Sequence, residues 1–119
     1  MPYLHTELAA GRWYTMSLAE QLGSIGSEVG RTLARYKEGD QKRFESALAR
    51  SLELIDLTRT DPRWSAARIK ELGRVREVFC DYFFGGNSYH STKESLEKYF
   101  FPYAFLARKE RIPKTTEVL

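Results

Sequence analysis

The chain has 119 residues, 42% of them hydrophobic and 29% charged, which excludes a disordered polymer and fits one globular domain over 1–119. Its 19 basic and 16 acidic residues leave a net charge of +3, too small an imbalance to mark a phosphate-binding protein on its own. The lone Cys80 excludes an intrachain disulfide, and no apolar stretch or charged leader suggests a membrane span or signal peptide, so a cytoplasmic protein without membrane contact is expected.

Residues 1–12 read as an N-terminal arm or a short helix ending at Gly11, with Trp13 and Tyr14 packing onto the helical bundle. A first long helix starts at Ser17, whose spacing to Glu20 matches the S-x-x-E capping box. Leu18, Leu22, Ile25, Val29, Leu33 and Tyr36 recur at steps of three and four and give it one apolar face. Arg31, Arg35 and Lys37 suit its C-terminal turns, and Gly39 ends it. Asp40 caps a second helix striped by Phe44, Leu48, Leu52 and Ile55, which must stop near Thr60 because a proline follows Asp61. Asp61 as N-cap and Pro62 at the first position open a third helix carrying Ile69, Leu72, Val75 and Phe79. Gly85-Gly86-Asn87 breaks it. Ser91 and Glu94 form a second S-x-x-E box before a fourth helix with Leu96, Tyr99 or Phe100, Tyr103 and Leu106. Pro102 should kink that helix near Lys98. Residues 109–119 read as a frayed tail. Short connections join antiparallel neighbours, so the expected fold is all-α, an antiparallel bundle of about four helices.

Four features are candidates for function. Gly23, Gly26 and Gly30 lie in a strip of small residues on the first long helix. Each interior glycine costs about 0.8–1 kcal/mol relative to alanine, so close approach of another helix, in this chain or a second subunit, should offset them. Tyr99, Phe101 and Phe105 belong to an aromatic cluster pointing several ways around the fourth helix, as interface residues do. Arg59, Arg63, Lys70 and Arg74 form a candidate phosphate-binding run. Within the same run Arg76 falls on the edge of an apolar face and needs a carboxylate, with Glu28 and Asp56 as candidates. Asn87, Tyr89 and His90 form a candidate loop site. Glu77 and Asp81 read as a solvated face. No zinc, di-iron, phosphate-loop or nucleophile-elbow motif occurs, so no metal, cofactor or enzymatic activity is expected.

The segments Met16–Leu22, Ile25–Val29 and Arg76–Tyr82 resemble those of a family of short bacterial helical proteins without assigned function, over most of the chain from Trp13 to Arg108. The coarse architecture is also similar to the HEPN class of helical toxins and nucleotidyltransferase partners, and to the four-helix oligomers that assist reverse transcriptases in retroelements. The HEPN ribonucleases carry an R-x4-6-H motif. Here Phe83, Phe84 and Gly85 stand where its arginine would precede His90, so the motif is missing. The favoured expectation is a non-catalytic accessory protein, homo-oligomeric, that docks on a protein partner. The alternatives are a nucleic-acid-handling accessory with a basic face, which is not favoured, and a HEPN-like partner of a nucleotidyltransferase.

Overall fold

Reciprocal capping starts the longest helix: the Ser17 side chain accepts from the Glu20 N–H (3.1 Å), and the Glu20 carboxylate accepts from the Ser17 N–H (3.0 Å). Two orphan donors are satisfied at once, as the S-x-x-E spacing predicts. The computed structural model describes residues 5–111. Within them lie a short helix α1 (Thr6–Ala9), a 3-10 turn at Arg12–Thr15, and four long helices: α2 (Leu18–Glu38), α3 (Gln41–Arg59), α4 (Ala66–Phe84) and α5 (Lys93–Glu110). Among the described residues there is no strand, and no helix is long and apolar enough to cross a membrane.

Gly39 stops α2 at φ 76°, a left-handed angle that glycine adopts without a Cβ clash. Asp40 caps α3 through the Arg43 N–H, and α3 ends at Arg59, as the downstream proline requires. The apolar stripes then meet. Leu22, Ile25, Val29 and Leu33 of α2 join Phe44, Leu48 and Ile55 of α3, Leu72 and Phe79 of α4, and Leu96 and Phe100 of α5 in one core. Trp13 is buried in the same cluster. Helix α2 is central and packs on both α3 and α5, while α4 leans on α3. At one end Tyr36, Phe44, Phe79, Tyr82 and Phe83 interlock edge to face or tilted, with centroids 4.8–6.1 Å apart, the separations aromatic pairs prefer.

Two helix starts differ from expectation. Asp61 and Pro62 do not open α4; residues 61–64 form a turn, and Ser65 is the N-cap, accepting from the Arg68 N–H (3.2 Å). The Asp61 carboxylate is held elsewhere, by Arg63 and Gln21. Helix α5 is capped not by Ser91 and Glu94 but by Thr92, in a reciprocal box with Ser95. Ser91 is unavailable because its N–H donates to Asn87 Oδ1 (2.8 Å) and its carbonyl accepts from Asn87 Nδ2 (2.9 Å). At the other end α5 runs through Glu110, past the expected start of the tail; positions 112–119 of that tail and 1–4 of the arm lie outside the described residues.

Candidate functional site

Residues three and four apart share a helix face. Phe101 and Phe105 stand one turn apart on α5 and are 73% and 64% exposed. Pro102, Ala104 and Leu106 are exposed beside them. Tyr99 and Tyr103 turn the other way. The Tyr99 hydroxyl donates to Glu71 (2.6 Å), and Arg68 Nη1 donates to the Tyr103 hydroxyl (3.1 Å), so both tyrosines tie α5 to α4. Burial, reinforced by the Glu71 carboxylate, pushes the Tyr99 pKa up and keeps its hydroxyl a donor. Tyr99 is therefore engaged within the chain, unlike Phe101 and Phe105.

The glycine strip divides in the same manner. A Cβ on Gly26 would sit 2.6 Å from Phe100 Cβ, and one on Gly23 would sit 3.1 Å from Ala104 Cα. Close approach at these two positions is to α5 of the same chain. Gly30 faces open space. Gly23, Gly26, Ser27, Glu97, Phe100, Phe101 and Ala104 line a shallow groove of ≈ 170 Å³ along this seam, with Phe105 one turn beyond Phe101.

The basic run is mostly engaged. Arg63 grips Asp61 with two nitrogens, Nε at 3.0 Å and Nη2 at 2.7 Å, and lies over the Trp64 ring at 4.4 Å. Its fork is committed to a buried carboxylate and is not free for a phosphate. Arg59 pairs with Asp56 (3.8 Å) and lies against Gly73. Arg76 takes Asp56, one of its two candidate partners, at 3.0 Å. Lys70 and Arg74 are exposed on α4.

The loop after α4 is held by the carboxylates that read as solvated. Asp81 accepts from the Ser88 hydroxyl (2.7 Å) and the Tyr89 N–H (3.1 Å), and Glu77 accepts from the Tyr89 hydroxyl (2.9 Å). The Ser88 hydrogen bond leads in holding the Asp81 carboxyl below its ordinary pKa. Asn87 and His90 both have φ 54°. For Asn87 the side chain bonded to Ser91 accompanies this angle; His90 is exposed. Arg76 is tied to α3 rather than delivered to His90. Burial raises the Cys80 thiol pKa, leaving it protonated and a poor nucleophile. Among the described residues no group of three or more His, Cys, Asp or Glu is placed to hold a metal ion.

Sequence reasoning missed a buried polar knot where α2, the 3-10 turn and the α3–α4 connection meet. Gln21 Nε2 donates to the Trp13 carbonyl (2.8 Å) and to Asp61 Oδ2 (3.0 Å), while its Oε1 accepts from Trp64 Nε1 (2.8 Å). Trp13 Nε1 donates to Thr58 Oγ1 (2.9 Å). Arg63 Nη2 donates to the Met16 carbonyl (2.6 Å). Every side chain of the knot is paired, so it fastens the fold instead of presenting reactive groups. A signal for it exists: Gln21 and Thr58 are polar residues at core-facing helical positions. No protein-family model, curated protein or solved structure matches the chain.

Proposed function

We propose that the chain is a non-catalytic interaction module that self-associates through the Phe101–Phe105 face of α5 and, so assembled, docks on a partner protein. One observation carries this reading: two large aromatic side chains, one turn apart, are left mostly exposed beside a groove whose lining is chiefly apolar. Contiguous apolar surface rimmed by polar residues is typical of association sites. A symmetric dimer would use the same patch on both copies, each Phe101 entering the partner copy's groove.

The reading includes an antiparallel arrangement of neighbouring helices. Supporting it, Ser17 Oγ at the start of α2 donates to Glu110 at the end of α5 (2.9 Å), and Thr32 meets Ser51 (3.1 Å) across α2 and α3. It also includes a bend in α5. Supporting it, Pro102 lies inside α5 and has no N–H to give the Lys98 carbonyl.

Light scattering on the purified chain at micromolar concentration tests the proposal. The dimer mass is expected for the native chain and the monomer mass for the Phe101→Ser/Phe105→Ser variant, with unchanged helical circular dichroism. Losing two central aromatic anchors removes about 3 kcal/mol or more, a hundred-fold or greater rise in the dimer dissociation constant. A native chain that stays monomeric overturns the reading.

A further inference from the structure

A second surface lies on the other side of the exposed arc of α2, and it is charged where the α5 face is apolar. Arg31 and Arg35 are one turn apart on α2; Arg43 and Arg50 are two turns apart on α3, with Ala47 between them. Helical spacing puts each pair on one face. All four side chains line a single groove of ≈ 270 Å³ between the two helices, with Ser46 and Ala47 and with no carboxylate in the lining.

Acids at the rim hold two of these arginines: Arg35 meets Glu38 at 2.9 Å at the end of α2, and Arg43 meets Asp40 at 3.6 Å at the cap of α3, while Arg31 meets the mostly buried Glu28 at 2.9 Å within α2. The Arg31 and Arg43 side chains are mostly exposed. The Arg35–Glu38 and Arg43–Asp40 pairs lie at a wet surface, where i,i+3 pairs are weak and screened by salt, so those two guanidinium groups can turn to a stronger anion; Glu28 is only 14% exposed, so Arg31 keeps that carboxylate and offers its remaining N–H groups. Glu45, the other nearby acid, accepts from Gln41 (2.9 Å). The Arg50 side chain is exposed and has no hydrogen bond or ion pair among the described residues.

The ligand chemistry is set by the residue type. Arginine forks match phosphate oxygens two at a time, and four forks along two walls exceed what one phosphate group engages. The lining has no large apolar residue to enter a bilayer, so a membrane surface is disfavoured. It also has no aromatic ring on which bases stack. We infer that the groove between α2 and α3 binds the sugar–phosphate backbone of a nucleic acid without reading its bases. The inference is independent of the α5 face: it uses neither Phe101 nor Phe105.

Fluorescence anisotropy with a labelled mixed-sequence DNA duplex, over a series of salt concentrations, tests it. Binding should weaken linearly in log–log form, with a slope approaching about −3.6 if all four arginines neutralise phosphates. Arg43→Ala/Arg50→Ala should make the slope shallower by about 1.8, and Arg50→Ala alone by about 0.9. Lys70→Ala/Arg74→Ala should leave it unchanged, and a duplex of different sequence should bind equally well. Circular dichroism confirms that each variant folds. A flat titration at low salt overturns the inference. So does an equal loss in the Lys70/Arg74 variant, or binding to phosphatidylserine vesicles in preference to DNA. Retention of binding by the Phe101→Ser/Phe105→Ser variant keeps this test separate from that of self-association.

Discussion

Asp61 is a carboxylate only 1% exposed. Burial opposes its charge, but the Arg63 fork, the Arg63 N–H and the Gln21 amide together outweigh that opposition and hold its pKa below the ordinary value. A carboxyl with a lower pKa folded than unfolded stabilises the fold above about pH 4 and loses that contribution as pH falls through the folded value. Thermal unfolding followed by circular dichroism should therefore show the midpoint dropping on acidification below about pH 4. Asp61→Asn should make that drop shallower while costing about 1.5–3 kcal/mol at neutral pH, the range for a hydrogen bond to a charged group. The glycines give a second pair of expectations. Gly26→Ala forces a methyl against Phe100 and should destabilise by about 1–3 kcal/mol. Gly30→Ala meets nothing and should stabilise by about 0.5–1 kcal/mol, by removing glycine's backbone freedom from the unfolded chain. Chemical denaturation of both variants checks the contrast.

At the scale of elements, caps decide where each helix begins, and neighbouring side chains decide which residue is free to cap. Asn87 occupies both backbone groups of Ser91, so α5 starts one residue later, on Thr92. Asp61 is drawn into the buried knot, so α4 waits for Ser65. Thr92→Ala and Ser65→Ala should each cost about 1 kcal/mol, the usual loss for a cap. Ser91→Ala should cost less than about 0.5 kcal/mol, since Ser91 bonds Asn87 through its backbone alone. Urea midpoints at constant m-value would separate the three. The mid-helix rules fared differently from the caps. Leu22, Ile25, Val29, Phe44, Leu48, Ile55, Leu72 and Phe79 are buried where periodicity puts them, whereas Tyr36 and Leu106, on the same stripes near helix ends, are 47% and 45% exposed. On α5 the same rule left Tyr99 and Phe100 unresolved, and packing against Gly26 buried Phe100.

For the whole molecule, the central position of α2 has the largest consequences. With α3 on one side and α5 on the other, α2 keeps an exposed strip with two unlike borders. Ser27 belongs to the groove beside Phe101, and Arg31 and Arg35 belong to the groove beside Arg43 and Arg50. Substituting the phenylalanines should change the oligomer mass and leave each chain's DNA affinity intact. Substituting Arg43 and Arg50 should do the reverse. Sedimentation and anisotropy on the two double variants would establish that separation, because groups without shared partners act additively.

The helical class, the caps at Ser17 and Asp40, the stops at Gly39 and Thr60 and most of the core were determined by the sequence alone. These depend on interactions between residues at most one or two turns apart, and their spacing is legible in one dimension. The knot of Trp13, Gln21, Thr58, Asp61 and Trp64 depends on partners 40 or more residues apart in several of its bonds. So does the division of the glycines between packed and open, while the arginines of the charged groove, closer in sequence, meet only because α2 and α3 pack side by side. Which side chains become neighbours across such distances is set by how the helices pack, and only the tertiary structure decides that.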